Sequence, residues 1–184
     1  MDQVTYIFLF VLAFALLLPV IHRFLHRRPR VYRVARYIIF GVYALANLYE
    51  TILFREVQPV PTVKWMPLWS YRASLSIWDG LQVTDLTILV DILLNILLYI
   101  PLGYLLPFLW PRLRPPSPQP KRPLSWISRP IVLTGFLCSY LTEITQLIFR
   151  IGWFELDDII NNTMGCLIGC VLYELIQRLY GDQP

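Results

Sequence analysis

The chain has 184 residues, of which 57% are hydrophobic and 15% charged, and its formal net charge is +4. A soluble domain of this length carries more surface charge, so the composition favours a protein whose segments lie in lipid. The basic residues cluster between apolar segments, as topology signals do, which argues against nucleic-acid binding.

Five apolar segments are long enough, or nearly so, to cross a hydrocarbon core of about 30 Å. In chain order they are about Val4–Ile21, Tyr37–Phe54, Ile88–Leu109, Ile131–Phe149 and Ile159–Leu179. The first begins without a basic region and has no small-residue cleavage site after it, so it is interpreted as a span and not as a signal peptide. We therefore predict an all-α, polytopic membrane protein, with residues 1–184 forming one domain built as a bundle of five transmembrane helices.

The loops between these segments differ in positive charge. Six basic residues lie within 23–36 and five within 110–130, against three within 55–87 and one within 150–158. Because cytoplasmic loops carry the excess of Lys and Arg, this alternation predicts an outside amino terminus and a cytoplasmic carboxyl terminus. The proline-rich loop at 110–130 is interpreted as an extended spacer that also anchors this topology, with a docking site as the alternative.

Polar residues inside the predicted spans gather at one depth. With this orientation, the outer third of the bundle holds a set of acidic, amide and basic side chains. They are Arg55, Asp91, Asn95, Glu143, Gln146, Arg150, Asp158, Asn161 and Asn162. Charged groups in a bilayer are costly, so they must face each other or a water-filled cavity. A buried network that only aligns the helices is one interpretation. An outward-opening polar pocket is the interpretation favoured here, because such a network has no need to gather at one depth.

Two features of the last span have specific expectations. Gly165 and Gly169 form a small-xxx-small pair, which predicts a close approach to a neighbouring helix. In "ELDDIINNTMG", Asp158 is either an N-terminal cap or a cavity residue. Asp157 points elsewhere on the helix and is expected to be replaceable by Asn.

Several stretches together resemble the VanZ-like family of small bacterial membrane proteins. They are "TILFR", "KWMPLWS", "DILLNILLYIPLGYLLPF", "YLTEITQL" and "RIGWFELDDIINNTMGCLIG", which cover a core of about residues 37–179. The resemblance places the recurrent polar positions of the family on Arg55, Asp91, Asn95, Glu143, Gln146, Asp158 and Asn162. Two positions depart from its pattern, because Lys64 stands where asparagine is expected and Asn161 where an aliphatic residue is usual.

The resemblance implies a multi-pass protein of the bacterial cell membrane and a link to low-level resistance to teicoplanin, a glycopeptide that carries a fatty acyl tail. A distant relation of the family to phosphatidylserine synthases and other lipid-headgroup enzymes has been proposed. Two functions follow as hypotheses. In the first, the pocket binds a lipid-linked cell-envelope precursor, a membrane lipid or a lipoglycopeptide without turnover. In the second, the protein is an enzyme that modifies the headgroup of a phospholipid or polyprenyl-linked precursor.

Both hypotheses use the same side chains. Arg55 and Arg150 would hold a phosphate, and Asn95, Gln146 and Asn162 would orient the headgroup. For an enzyme, Asp158, Glu143 or Asp91 would act as the base, or the three together would bind a divalent cation. A transporter is disfavoured, because there is no evident inverted repeat and the polar set lies on one side only.

Overall fold

The structure is a computed structural model and describes residues 29–76, 82–83, 85–110 and 129–180. The predicted first span and most of the proline-rich loop, residues 111–128, lie outside the described residues. The described part of the chain is mostly helical, as predicted.

The last three long helices follow the predicted spans closely, whereas the first described helix begins earlier than predicted. Helix α1 spans Pro29–Leu48 and continues as a π-helical turn, Tyr49–Leu53. A short helix α2, Trp69–Ser74, lies in the next loop, and the long helices α3, Leu86–Leu109, α4, Arg129–Phe149, and α5, Leu156–Tyr180, follow. Four two-residue strands complete the elements: β1 Val63–Lys64, β2 Leu75–Ser76, β3 Gln82–Val83 and β4 Phe154–Glu155. Strand β1 pairs in parallel with β4, and β2 pairs antiparallel with β3.

Three helices of the described chain are long and apolar enough to cross a membrane, namely α3, α4 and the Leu156–Gln177 part of α5. Helix α1 is not among them. It begins earlier than the predicted second span, at Pro29, and so takes the arginines at 30, 33 and 36 into its first turns. The predicted count of five spans is therefore supported for the last three segments only.

The contacts between helices define their relative directions. Helices α3 and α5 run parallel, since Gly165 lies against Ile96 and Gly169 against Ile100. Helix α4 is antiparallel to α5, because Ser139 contacts Asn162, whereas Ile131, earlier on α4, contacts Cys166, later on α5. Helix α1 is antiparallel to α3, because the Tyr43 hydroxyl donates to the Leu98 carbonyl while Arg36 lies over the Phe108 ring. The alternation predicted for spans two to five is thus present.

Glycines bring α3 and α5 together, backbone against backbone. A Cβ atom added to Gly165 or Gly169 would lie 2.0 Å from the carbonyl oxygen of Ile96 or Ile100. On the other helix, a Cβ atom added to Gly103 would lie 1.9 Å from the Cys166 carbonyl oxygen. The close approach predicted from Gly165 and Gly169 is confirmed, and α3 contributes a glycine of its own.

This contact predicts the effect of adding one methyl group. Gly169→Ala should lower the melting temperature of the detergent-solubilised protein, because overpacking a tight interface costs about 1–3 kcal/mol. Gly41→Ala in α1 is the matched control, since no described atom lies within 4 Å of the added Cβ. Alanine favours a helix over glycine by roughly 1 kcal/mol, so the control should leave the melting temperature unchanged or raise it. Equal melting temperatures for the two variants would contradict the backbone contact.

Candidate functional site

A cavity of about 630 Å³ lies at the end of the bundle where α3 and α5 begin. Its polar and aromatic lining residues are Arg55, Lys64, Trp69, Ser70, Asp91, Asn95, Trp153, Glu155 and Asp158. A smaller cavity of about 160 Å³ shares Arg55, Trp153, Glu155 and Asp158 with it and adds Gln146. Five of the predicted site residues therefore line cavities that meet at one end of the helices.

Asp158 and Asn95 join the two parallel helices across the cavity wall. The Asn95 Nδ2 atom donates a hydrogen bond of 2.7 Å to Asp158 Oδ1. Asp91 lies one helical turn before Asn95 on α3 and is exposed to the same cavity. Helix α5 begins at Leu156, so Asp158 lies inside its first turn and is not its N-terminal cap. The carboxylate still complements the positive end of the helix dipole.

Arg55 supplies a cation to both cavities. It follows the π-helical turn, and its Nε atom donates to the Glu50 carbonyl at 3.3 Å. Within the described residues no hydrogen bond uses its two Nη groups. The guanidinium lies close enough to Asp91, Glu143 and Asp158 to interact electrostatically with all three. Arg55 therefore opposes a group of carboxylates while keeping its terminal donors available.

Three of the predicted residues have partners inside the protein. Glu143 is only 2% exposed, and its Oε2 atom accepts a hydrogen bond of 2.9 Å from the Glu155 amide. Gln146 donates to the Thr51 carbonyl at 2.9 Å while its side chain borders the smaller cavity. Asn162 donates to the Ser139 hydroxyl at 2.9 Å, between α4 and α5. Glu143 and Asn162 line neither cavity, so their observed role is to join elements of the bundle.

Arg150 is not part of the cavity, contrary to the expectation from sequence. Its backbone has a φ of 58°, and it follows the last residue of α4. The Ile151 amide donates to the Gln146 carbonyl and the Arg150 amide to the Leu147 carbonyl, which is the Schellman pattern that ends a helix. This turn leaves the Arg150 side chain exposed. Of the two arginines predicted to bind a phosphate, Arg55 borders both of these cavities and Arg150 borders neither.

The three predicted metal ligands do not assemble into a cation site. In the part of the chain that the structure describes, no group of three His, Cys, Asp or Glu side chains is placed to hold a metal ion. Glu143 is turned towards the Glu155 amide, and Asp158 is held by Asn95.

Sequence reasoning missed the role of Asp157. This side chain is fully buried and accepts three hydrogen bonds, from the Leu68 amide at 2.6 Å, the Ser70 amide at 2.9 Å and the Ser70 hydroxyl at 2.6 Å. Leu68 has a left-handed φ of 61° and directly precedes α2. The carboxylate of one helix thus caps the first turn of another. Nothing in the local sequence indicates this contact, because its two ends are separated by 87 residues or more.

A second contact holds the same loop. The Tyr71 hydroxyl donates to Asn161 Oδ1 at 2.5 Å. Burial raises the pKa of the Tyr71 phenol above its ordinary value, and the nearby Asp157 carboxylate adds to the increase. The phenol therefore remains a donor at neutral pH. Asn161, which departs from the pattern of the resembled family, has a structural partner here.

The Asp157 contact corrects the expectation that this residue is replaceable. In Asp157→Asn, one carboxylate oxygen becomes an amide NH2 donor that faces other donors, so at least one hydrogen bond is lost, at a cost of about 1–3 kcal/mol. We expect a lower melting temperature and faster proteolysis of the loop at 56–68. Asp158→Asn is the matched control, because an Asn side chain still accepts from Asn95. If both variants melt like the wild type, Asp157 does not secure the loop.

Comparison with known proteins gives one match. The model of the family described as VanZ/LLP1 matches residues 6–177, nearly the whole chain. No curated protein and no solved structure matches it. The resemblance seen in the sequence motifs is thereby confirmed: the chain belongs to the VanZ/LLP1 family.

Proposed function

We propose that the cavity binds the phosphate-bearing headgroup of a membrane lipid or a lipid-linked cell-envelope precursor. The observation that carries this proposal is Arg55, whose terminal donors make no hydrogen bond to the described residues and lie beside an open cavity of about 630 Å³. A guanidinium matches two phosphate oxygens with two parallel hydrogen bonds, which gives both affinity and orientation. Asn95 and Gln146 supply amides on the walls of the two cavities, where they would orient the rest of the headgroup.

The position of the cavity at the helix ends supports a lipid as the ligand. Trp153 borders both cavities, and Trp65 lies nearby with its ring centroid 5.0 Å from that of Phe154. Tryptophan is enriched at the level of lipid headgroups, where its ring contacts both hydrocarbon and water. A lipid whose chains lie along the helices would place its headgroup at this level. Binding at this level would alter the access of an acyl-bearing glycopeptide, or of its precursor target, and so fits the family's association with glycopeptide resistance.

The proposal places the cavity in the outer leaflet of a bacterial cell membrane, because the loops that surround it contain few basic residues. To test this, single cysteines are introduced at Val57 and at Ser117 in a cysteine-free background. We expect an impermeant thiol reagent to label the first on intact cells and the second only after lysis. Labelling of residue 117 from outside would reverse the orientation.

The role of Arg55 predicts a specific loss of binding. Arg55→Gln should weaken binding of phosphatidylglycerol to the purified protein by about tenfold or more, since a charge-assisted hydrogen bond contributes about 1.5–3 kcal/mol. Lys at the same position should restore binding only in part, because an ammonium cannot form the paired bonds. The measurement is native mass spectrometry of the detergent-solubilised protein with added lipid.

Arg150→Gln provides the control for Arg55. It removes the same charge from the same end of the bundle, but its side chain does not border either cavity, so binding should be unchanged. Melting temperatures of all variants separate a loss of binding from a loss of folding. Equal effects of the two Gln variants would show that only the total charge matters, and the phosphate site would be abandoned.

An enzyme that modifies the headgroup is the second candidate, and Asp158 is the observation that favours it. Its carboxylate borders both cavities and is oriented by Asn95, as a general base requires. Asp158→Asn separates the candidates, because the variant keeps the hydrogen bond but has no basicity. Loss of headgroup turnover with retained lipid binding would support the enzyme, and absence of turnover in the wild type would exclude it.

A further inference from the structure

The ammonium group of Lys64 lies between two tryptophan rings and a carboxylate. Its Nζ atom is 3.5 Å from the centroid of the Trp69 ring and 4.0 Å from that of Trp153. The Glu155 Oε1 atom lies 3.3 Å from the same nitrogen. We call these three partners, Trp69, Trp153 and Glu155, the aromatic cage. All three belong to the lining of the larger cavity, as does Lys64 itself.

Contacts between segments that are distant in the sequence hold the cage residues in place. The parallel pairing of β1 with β4 aligns Lys64 with Glu155, which places Trp153 beside them. Trp69 is the first residue of α2, whose start is secured by the buried Asp157 carboxylate. The side chains of Lys64 and Glu155 are 23% and 17% exposed, so the ion pair is largely shielded from water. The protein therefore maintains a cation site with an occupant supplied by its own chain.

Aromatic faces combined with a carboxylate form the type of site that binds alkylammonium ligands. The negative face of a ring attracts a cation within about 6 Å, and tryptophan is the strongest of the aromatic side chains in this respect. Quaternary ammonium groups such as choline are bound in this way, because they have no N–H donor and depend on the rings. While Lys64 occupies the cage, such a group has no place there.

We propose that Lys64 fills an alkylammonium subsite of the cavity and so determines which headgroups bind. With the subsite filled, the wild-type protein selects phosphate headgroups without a quaternary ammonium, such as glycerol phosphate. Without Lys64, the subsite accepts choline while Arg55 holds the phosphate. This inference rests on the proposed phosphate-binding function and adds a specificity-determining residue to it.

A simpler role for Lys64 is that of a second cation for the phosphate. In that role, its removal would change the affinity for phosphocholine in the opposite direction. Removing a cation from the cavity weakens the binding of every phosphate ligand, including phosphocholine. Opening the cage strengthens the binding of phosphocholine alone. In the structure the ammonium lies over two rings and beside one carboxylate, so its charge is largely compensated within the cage. The sign of the change for phosphocholine decides between the two roles.

The experiment compares the wild type with Lys64→Gln in a maltoside detergent, which carries neither phosphate nor ammonium. Binding of inorganic phosphate and of phosphocholine is followed by calorimetry and by tryptophan fluorescence. We expect Lys64→Gln to bind phosphocholine about tenfold more tightly than the wild type does. Inorganic phosphate should bind equally well or more weakly. Arg72→Gln is the matched control: this arginine is exposed on α2, does not border the cavity, and should leave both affinities unchanged.

Two further measurements assign the gain to the cage and to a lipid. In Lys64→Gln combined with Trp153→Ala, the gain for phosphocholine should disappear. By native mass spectrometry, Lys64→Gln should retain added phosphatidylcholine, whereas the wild type should retain phosphatidylglycerol in preference. Retention of free phosphocholine but not of phosphatidylcholine would overturn the assignment to a lipid headgroup.

The outcomes separate this inference from the function on which it rests. If Lys64→Gln weakens the binding of phosphocholine and of inorganic phosphate alike, the cage proposal is wrong. Arg55-dependent binding in the wild type would still support the proposed function. If the wild type binds no phosphate ligand through Arg55, the proposed function fails first. An unchanged melting temperature of Lys64→Gln ensures that either result concerns binding and not folding.

Discussion

The contact of α3 with α5, backbone against backbone, is the constraint on which the rest of the structure depends. Gly103, Gly165 and Gly169 allow the two helices to pack in parallel with no side chain between them. Parallel packing places the first turns of both helices at the same end of the bundle. The carboxylates and amides in the amino-terminal halves of the two helices therefore meet, and the hydrogen bond between Asn95 and Asp158 is the direct result.

The other helices complete the same end because they run in the opposite direction. Arg55 follows helix α1 and its π-helical turn, and Gln146 lies near the end of α4, so both reach the cavities at this end of the bundle. The loops after these helices are then joined by the pairing of β1 with β4 and by the Asp157 carboxylate. Each loop thus contributes one wall to a cavity whose floor is formed by helix ends. Opposite charges on these walls suit a ligand with its own charged groups better than a purely apolar one.

The sequence allowed the helices and their common polar end to be predicted, since both depend on local patterns. Runs of apolar residues predicted α3, α4 and α5 to within a few residues, and loop charges predicted their alternation. The direction of side chains at helix ends was harder to predict from the sequence. The exposed position of Arg150 could not be foreseen, because it depends on a left-handed turn after α4, and such turns usually contain glycine. The contacts of Asp157 and Lys64 could not be predicted, because their partners lie on distant segments and contacts between distant segments leave no local sequence pattern.

The glycine contact has a further consequence for how the cavity can change its size. The carbonyl oxygens of Ile96 and Ile100 lie where a Cβ atom of Gly165 or Gly169 would be, so sliding one helix along the other would move them against the side chains of neighbouring residues. The wall that carries Asp158 and Asn95 is therefore built on a direct backbone contact between two long helices. The opposite wall is held by the two-residue pairing of β1 with β4 and by side-chain hydrogen bonds to Asp157. If the proposed ligand enters by a movement of the cavity walls, the loops would move, whereas the paired backbones of α3 and α5 would keep their places.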